Sequence, residues 1–385
     1  MLNKDTKIQV KTAHGVTEEE NVGDCVGQGT AGAGLISAAN LDQGLQKHFN
    51  QPPPEDEAKA EDDNVLKFGT VRRQPIAYQD DVGSMCNNID MAKSQAEKLT
   101  KMTKEKVLEA HPDKSGLILL GTDKFKNKIE EELKENPIYL TGFKLNIMSS
   151  TKYLGQTIDS SLSRSALETV KSRAGKIKGG AMEVKTIIED FEMKAIGGLA
   201  AAWELWERAL LPSLLSGAGT WLGRIDDSVK LCNQIQNFYW RVIISVPDSC
   251  PKLALLCEPG MIDCHFRIWN EKCQLLLRIK MLDENALAKQ VYRQAEENKW
   301  PGLGSEVREI CKQIQIQDIN KYSISKQEIQ KAIYEAHYKA MMVLFENSKK
   351  LKDIKNYNFE GMQSYFNDKN LKKIKNEILN SHQNG

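Results

Sequence analysis

The sequence predicts an α+β protein, with short strands and helices in about the first 160 residues and helices alone after them. Short apolar runs bounded by turn residues recur up to Ile158, whereas long helical periodicities begin near Ser163. A length of 385 residues suggests about two or three domains. Lys and Arg number 53 against 52 Asp and Glu, so any polyanion site must come from local clustering of charge.

Composition and the N-terminus exclude several classes of protein. The glycines have no three-residue period, and 8 cysteines are too few for a disulfide-stapled fold. The N-terminal residues lack the apolar segment of a secretory signal. The uncharged stretch Ala209–Gly223 contains Pro212 and is shorter than the ~20 residues that span a bilayer. We therefore expect a soluble, intracellular protein with reduced thiols.

The first part of the chain alternates ordered and loop-like segments. A short strand around Ile8 and Val10 ends near Gly15, and a helix follows the N-cap candidate Thr30. Residues 51–63 are rich in proline and acidic side chains, which predicts a solvated loop. Further strands are predicted at Val65–Phe68, Pro75–Tyr78, from Val82 onward, and at Leu117–Leu120, Ile138–Leu140, Phe143–Ile147 and Tyr153–Ile158.

Helical periodicity dominates the rest of the chain. Helices are predicted at about Ile89–Glu109, Leu167–Glu192, Met193–Leu215, Val229–Ile244, Phe266–Met281 and, in a Lys/Gln/Asn-rich stretch, within Ile310–Leu379.

Two adjacent carboxylates are the first candidate for chemistry. Tyr78-Gln79-Asp80-Asp81 lies between two apolar strand signals, which places the acids at a hairpin turn. Neighbouring carboxylates repel each other unless a cation lies between them, and their hard oxygen atoms suit Mg²⁺. The alternative is a solvated Asp-Asp turn, and the residues alone leave both interpretations open.

The order of four short motifs links the chain to a family. Val26-Gly27-Gln28-Gly29-Thr30 precedes the hairpin, and His111-Pro112-Asp113-Lys114-Ser115 and Tyr153-Leu154-Gly155 follow it. In this order the motifs resemble those of reverse transcriptases of non-LTR (LINE-like) retrotransposons. Gln79 and His111 depart from the residues usual at their positions. The resemblance covers about residues 1–225 and extends more loosely to about Ile319.

The resemblance implies a fold. Residues 1–160 would be a palm remnant, an antiparallel sheet with packed helices that carries the acidic loop 51–63. Residues 161–225 would be a helical thumb and residues 226–385 a helical C-terminal extension.

The resemblance also implies an RNA-directed DNA polymerase, which adds deoxynucleotides to a primer 3′-hydroxyl by two-metal catalysis with Mg²⁺ or Mn²⁺. Its partners would be an RNA template, a DNA primer and deoxynucleotide triphosphates, and it would act in the nucleus. The roles carried over are metal binding by Asp80 with support from Asp81, leaving-group stabilisation by Lys114, template and nucleotide support by Gly27, Gln28, Gly29 and Tyr78, and primer grip by Tyr153, Leu154 and Gly155.

Other features of the family are not found here. A third catalytic carboxylate comes from a strand before the Gln28 motif, yet 25 residues precede Val26 and none matches it; the fingers are also missing. We therefore expect little or no autonomous polymerase activity. Two other interpretations stay open: a catalytically dead nucleic-acid-binding remnant and a helical interaction scaffold.

Positive charge concentrates in the predicted thumb. Six basic and two acidic residues lie between Arg164 and Lys185, a net charge of +4. The predicted contacts to a duplex backbone are Lys171, Arg173, Lys176 and Lys178, and the alternative is a solvated helix face.

The cysteines of the C-terminal half lack the spacing of a zinc knuckle. Cys250, Cys257, Cys264 and Cys273, with His265, are separated by seven, seven and nine residues, which favours buried reduced thiols. The tryptophans are expected to pack between helices.

Overall fold

The protein, analysed as a computed structural model, has an α+β fold with mostly helical structure. The structure describes residues 75–78, 81–106, 108–190, 196–250, 252–257, 261–320 and 323–348, and the short strands 6–8, 11–12, 15–16, 20–22, 67–68 and 71–72. The chain divides into two compact units, Met1–Met148 and Ser149–Gly385. The predicted palm ends at residue 160, twelve residues after the end of the first unit, so the Tyr153 motif belongs to the second unit.

The strands of the first unit form separate two-stranded pairs. The antiparallel pairs are β1 (Thr6–Ile8) with β4 (Glu20–Val22), β2 (Lys11–Thr12) with β3 (Gly15–Val16), β5 (Lys67–Phe68) with β6 (Val71–Arg72), β7 (Ile76–Tyr78) with β8 (Asp81–Gly83), and β10 (Tyr139–Leu140) with β11 (Phe143–Lys144). A parallel pair joins β9 (Gly116–Leu117) to β12 (Asn146–Ile147). The described strands thus form separate two-stranded sheets and not the one antiparallel sheet that the resemblance implies.

Two helices pack against these strands. In α1 (Ile89–Glu105) the Asn88 side chain caps the first turn by accepting from the Met91 N–H at 2.8 Å. Thr122 caps α2 (Asp123–Glu135) in the same way. Their apolar faces meet in a small core of Ile89, Ala96, Leu133 and Ile138.

The second unit opens with a hairpin and continues in helices. The hairpin pairs β13 (Ser150–Tyr153) with β14 (Gln156–Asp159). The helices are α3 (Ser165–Asp190), α4 (Ile196–Leu205), α5 (Leu211–Leu215), α6 (Asp226–Ile244), α7 (Lys252–Cys257), α8 (Cys264–Met281), α9 (Leu287–Glu297), α10 (Leu303–Gln313) and α11 (Lys326–Glu346), with 3₁₀ turns at Leu162–Arg164 and Ala218–Thr220. None of the described helices combines the length and the apolar character needed to cross a membrane.

One wide turn interrupts the helix that the sequence predicts up to Leu215. Residues Trp206–Leu210 form a π-helical turn between α4 and α5, in which the Leu211 N–H donates to the Trp206 carbonyl. Pro212 follows directly, and its ring would clash with the carbonyl four residues earlier. The wider turn accommodates this clash without ending the helix.

The main core of the second unit joins the predicted thumb to the predicted extension. Val170 and Ile177 of α3, Trp206, and Tyr239 and Trp240 of α6 are all buried in it. The rings of Trp206 and Tyr239 lie 4.8 Å apart. These tryptophans pack between helices, as predicted. Because α3 and α6 share one core, no break separates residues 161–225 from the residues that follow.

Several predicted elements differ in extent from the structure, and Phe143–Ile147 divides into β11 and β12, which pair with different strands. Tyr153–Ile158 is two strands joined by a turn, because Leu154 and Gly155 both have positive φ. In Leu117–Leu120, β9 ends at Leu117 because its partner β12 is two residues long. The predicted helix from Ile310 is broken after Gln313 and resumes at Lys326. The helix after Thr30, the acidic loop 51–63 and the residues after 348 lie outside the described part of the chain.

A histidine interrupts the apolar stripe by which α11 docks. His337 follows Ile333 and precedes Met341 at four-residue spacing, and 8% of its surface is exposed. Its Nε2 accepts from the Asp263 N–H at 3.3 Å, and its ring packs edge-on against Phe266. Burial lowers the pKa of His337 to about 4, although the negative charge of Asp263 acts to raise it. The imidazole is therefore neutral in the folded protein at neutral pH.

This histidine makes folding sensitive to mild acid. Below pH 6.5 the unfolded chain binds a proton at His337 that the folded chain excludes until about pH 4, so stability falls across this window as pH falls. We expect a loss of about 2 kcal/mol between pH 7.5 and 5 from this residue. Urea unfolding of the wild type and His337→Gln at both pH values measures it. An equal pH dependence in the two proteins would contradict the assignment.

Candidate nucleic-acid interface

The hairpin predicted to carry the carboxylates is present in the first unit. β7 and β8 pair antiparallel with Tyr78 opposite Asp81, so two residues join the strands. The Asp81 side chain is exposed at the start of β8. Gln79 and Asp80 lie outside the described residues, as do Gly27, Gln28 and Gly29 of the upstream motif.

Lys114 lies in a tight turn between α1 and β9. The N–H groups of Lys114 and Ser115 donate to the His111 carbonyl at 3.2 and 3.0 Å, and the Asp113 N–H donates to His111 Nδ1. The Lys114 side chain is exposed. His111 thus acts as a turn residue. Within the described residues no hydrogen bond or ion pair joins Lys114 to Asp81.

The described residues do not complete a magnesium site. Of the two acids of the hairpin, Asp81 supplies one exposed carboxylate. No group of three His, Cys, Asp or Glu side chains within the described residues is placed to hold a metal ion. One carboxylate does not provide the oxygen ligands that Mg²⁺ requires.

The Tyr153 motif forms the tip of the hairpin that opens the second unit. Leu154 and Gly155 have φ of 49° and 73°, the values of a two-residue type I′ turn. Glycine suits this conformation, whereas leucine is uncommon there. The Leu154 side chain is nonetheless 47% exposed, so the turn presents an apolar group to solvent.

Arg173 of α3 holds this turn in place. One terminal nitrogen of its guanidinium donates to the Gly155 carbonyl at 2.6 Å. The other donates to the carbonyls of Leu214 and Ser216, at 3.0 and 2.8 Å, where α5 ends. Burial lowers the pKa of Arg173, but a guanidinium stays charged. Because three hydrogen bonds direct both terminal nitrogens to main-chain carbonyls, Arg173 is turned away from the exposed side of α3, where the sequence predicted a phosphate contact.

Gln156 adds a second tie between the hairpin and the end of α5. Its Nε2 donates to the Ser216 carbonyl at 2.6 Å, and its Oε1 accepts from Trp221 Nε1 at 3.1 Å. Gly217 has a φ of 72°, and a Cβ there would lie 2.3 Å from Gln156 Nε2. Glycine at 217 is therefore required both by the turn and by the close approach of Gln156.

Basic residues of the thumb form a row along one side of α3. We call this the cation row: Arg164, Lys171, Lys178 and Lys185, each seven residues after the last. Seven residues are nearly two helical turns, so the members lie within about 60° of one another and are spaced about 10.5 Å apart. Lys178 also borders α6, with its ammonium 5.5 Å from the Phe238 ring centroid.

Two carboxylates accompany the cation row. Glu168 pairs with both Arg164 and Lys171, at 3.3 and 2.9 Å, and Glu189 pairs with Lys185 at 3.7 Å. The hydrogen bond from Lys171 and its positive charge lower the pKa of Glu168, and Arg164 adds to this effect. Four cations against two anions leave the row with a charge of +2. Such surface pairs contribute little stability, so phosphate groups can replace the carboxylates as partners.

Between the row and the opposite border of α3, a stretch of surface that ends at Glu168 on one side and at Met182 and Glu183 on the other lacks bulky side chains. We call it the glycine floor: Ser172, Gly175 and Gly179, on the side of α3 opposite its buried residues. A Cβ added at Gly175 or Gly179 would meet no atom within 4 Å. Gly180 differs, because its Cβ would lie 3.1 Å from Leu210. Packing accounts for Gly180 but not for the other two glycines.

The four predicted backbone contacts thus separate into three groups. Lys171 and Lys178 lie together in the row. Lys176 is exposed at the other border of the glycine floor, roughly 150° around the helix from the row. Arg173 points inward. The sequence reasoning missed Arg164 and Lys185 as members of the row, although their seven-residue spacing is visible in the sequence.

Of the four cysteines predicted to be buried, two are buried in the structure and Cys250 is half-buried. Cys264 and Cys273 are buried, and burial raises the pKa of both thiols. His265 packs edge-on against Trp269, with ring centroids 4.5 Å apart. The Cys257 side chain lies outside the described residues.

Comparison of the chain with protein-family models gives no match. Comparison with curated proteins gives no match either.

Proposed function

We propose that this chain is a reverse-transcriptase-like protein whose second unit binds the backbone of a nucleic-acid duplex along the exposed side of α3. The observation that carries the proposal is the arrangement of the cation row beside the glycine floor, with Lys176 at the opposite border. On this proposal α3 is the thumb helix, and the β13–β14 hairpin meets the primer end of the duplex. The first unit is the palm remnant.

The proposed contact follows from the dimensions of a helix and a duplex. Phosphates of one strand advance about 3.4 Å per nucleotide, so the spacing of the row is about three steps. Cations on both borders of the floor can reach both strands of one groove, because no bulky side chain between Ser172 and Gly179 keeps the backbone away. Phosphate contacts of this kind are independent of base sequence and weaken as salt rises.

Nucleotide addition belongs to the same proposal but has a different support. It rests on the order of the Gln28, Asp80, Lys114 and Tyr153 motifs in the sequence. The substrates would be deoxynucleotide triphosphates, with an RNA template and a DNA primer. A chain that binds duplexes without catalysis would need the same α3 surface, so the experiment below tests binding itself.

The glycine floor gives a test in which stability and binding change in opposite directions. Gly175→Gln together with Gly179→Gln should raise the free energy of unfolding by about 1 kcal/mol or more, because glycine is a poor helix former. The new side chains should also hold a duplex away from α3 and weaken binding by about tenfold, since charged contacts at the borders lengthen. Thermal unfolding and fluorescence anisotropy with an RNA–DNA duplex measure the two effects.

The matched control is Ala340→Gln, which adds the same exposed side chain on α11. This control should change neither quantity by much. If the double glycine variant is more stable and binds as tightly as the wild type, the duplex does not lie on the floor. If the wild type does not bind the duplex at low salt, the proposed function is wrong and a helical scaffold is favoured.

A further inference from the structure

We propose that Arg173 is a positioning residue that sets the orientation of the Leu154–Gly155 turn for the end of a bound duplex. The inference rests on the proposed function, because it concerns the same nucleic-acid surface. Arg173 itself would touch no nucleotide. It would act through the turn, which it ties to the residues that end α5.

The hairpin needs such a tie to keep a fixed orientation. A two-stranded hairpin alone is marginally stable, and β13–β14 is four residues long on each side. Its base is fixed on α3, because the Thr157 N–H donates to Thr169 Oγ1 at 2.8 Å and the Asp159 N–H donates to Ser165 Oγ at 2.9 Å. At the tip, Arg173 and Gln156 both donate to the Ser216 carbonyl.

The Leu154–Gly155 turn presents an apolar group, whereas the exposed side of α3 presents cations. Cations of the row can meet phosphates anywhere along a duplex and do not distinguish its middle from its end. Leu154 is apolar, exposed and held at a φ that leucine seldom adopts. An apolar base-pair face is available for such a group at the end of a duplex, where stacking stops. The turn lies on the side of α3 that carries Arg173, toward the border with Lys176.

Loss of Arg173 should therefore affect orientation more than folding. The carbonyls of Gly155 and Ser216 lie near solvent, so water can replace the guanidinium when it is removed. The phosphate contacts of the row do not involve Arg173. A variant that lacks Arg173 should thus lose the preference for duplex ends and keep the salt dependence of binding.

The test uses the full chain and two RNA–DNA duplexes of equal length, one with open ends and one whose ends are closed by loops that cover the terminal base pairs. We expect the wild type to bind the open-ended duplex about tenfold more tightly, as one or two added contacts allow. Arg173→Met should reduce this preference to within about twofold, with an unchanged slope of log affinity against log salt. Arg173→Lys, which keeps the charge but not the planar fork, should give an intermediate preference.

The control is Arg308→Met, which removes a half-buried arginine of α10 that pairs with Glu296 of α9. It should keep the preference for the open end. If Arg173→Met does not fold, Arg173→Lys is judged by the same criterion. A folded Arg173 variant with the full end preference, or a wild type that binds both duplexes equally, overturns the inference and leaves the proposed function standing. A wild type that binds neither duplex overturns both.

Discussion

Simultaneous replacement of Lys171, Lys178 and Lys185 by Ala should weaken duplex binding by about two to three orders of magnitude at 0.1 M salt. Each phosphate contact contributes about 0.9 to the slope of log affinity against log salt, so the slope should fall by about 2 to 3. Glu168 and Glu189 then remain on the row without these lysine partners, which adds repulsion of phosphates. Anisotropy titrations from 50 to 300 mM salt measure both quantities.

The matched control removes three exposed lysines elsewhere, Lys312, Lys331 and Lys339 of α10 and α11. Net charge falls equally in both triple variants, so a general effect of charge would weaken binding equally. We expect the control to keep most of the affinity and the slope. Equal losses in the two triple variants would contradict a specific role for the row. Lys176→Ala alone should lower the slope by about 1.

The largest expected effect on stability comes from Glu306 of α10. Its carboxylate accepts from the Lys272 ammonium of α8, which is 3% exposed, and from the Gly223 N–H at 2.7 Å. Glu306→Ala leaves a buried ammonium and a main-chain N–H without this partner. We expect a loss of about 3 kcal/mol, because the charge was desolvated with its partner in place. Chemical denaturation followed by the fluorescence of the buried tryptophans measures it.

A second substitution separates the charge from the packing. Lys272→Met in the Glu306→Ala background removes the buried charge and should recover most of the lost stability. A double variant no more stable than Glu306→Ala would show that the loss comes from packing of Glu306 and not from the stranded ammonium.

Helical spacing predicted most of the second unit and part of its surface. The periodicity of α3, α6 and α8 gave their bounds to within about three residues, because one face of each is buried in a large core. The seven-residue spacing of Arg164, Lys171, Lys178 and Lys185 was equally readable. This spacing follows from the same helical period that predicts which apolar residues are buried.

Contacts between distant residues could not be read from the sequence. Arg173 lies on the buried side of α3, between Val170 and Ile177, and a cation at such a position indicates an internal partner. Spacing alone does not tell that the partners are carbonyls of Gly155, Leu214 and Ser216, since these lie 18 to 43 residues away. For the same reason the strands of the first unit were predicted more reliably than their pairing.

Lysine footprinting by acetylation and mass spectrometry tests the central claim most directly. The chain is modified with and without an excess of RNA–DNA duplex at low salt. We predict that the duplex protects Lys171, Lys176 and Lys178 on α3 from modification and leaves Lys312, Lys331 and Lys339 fully reactive. Equal reactivity of the α3 lysines with and without bound duplex would contradict the claim that α3 is the nucleic-acid interface.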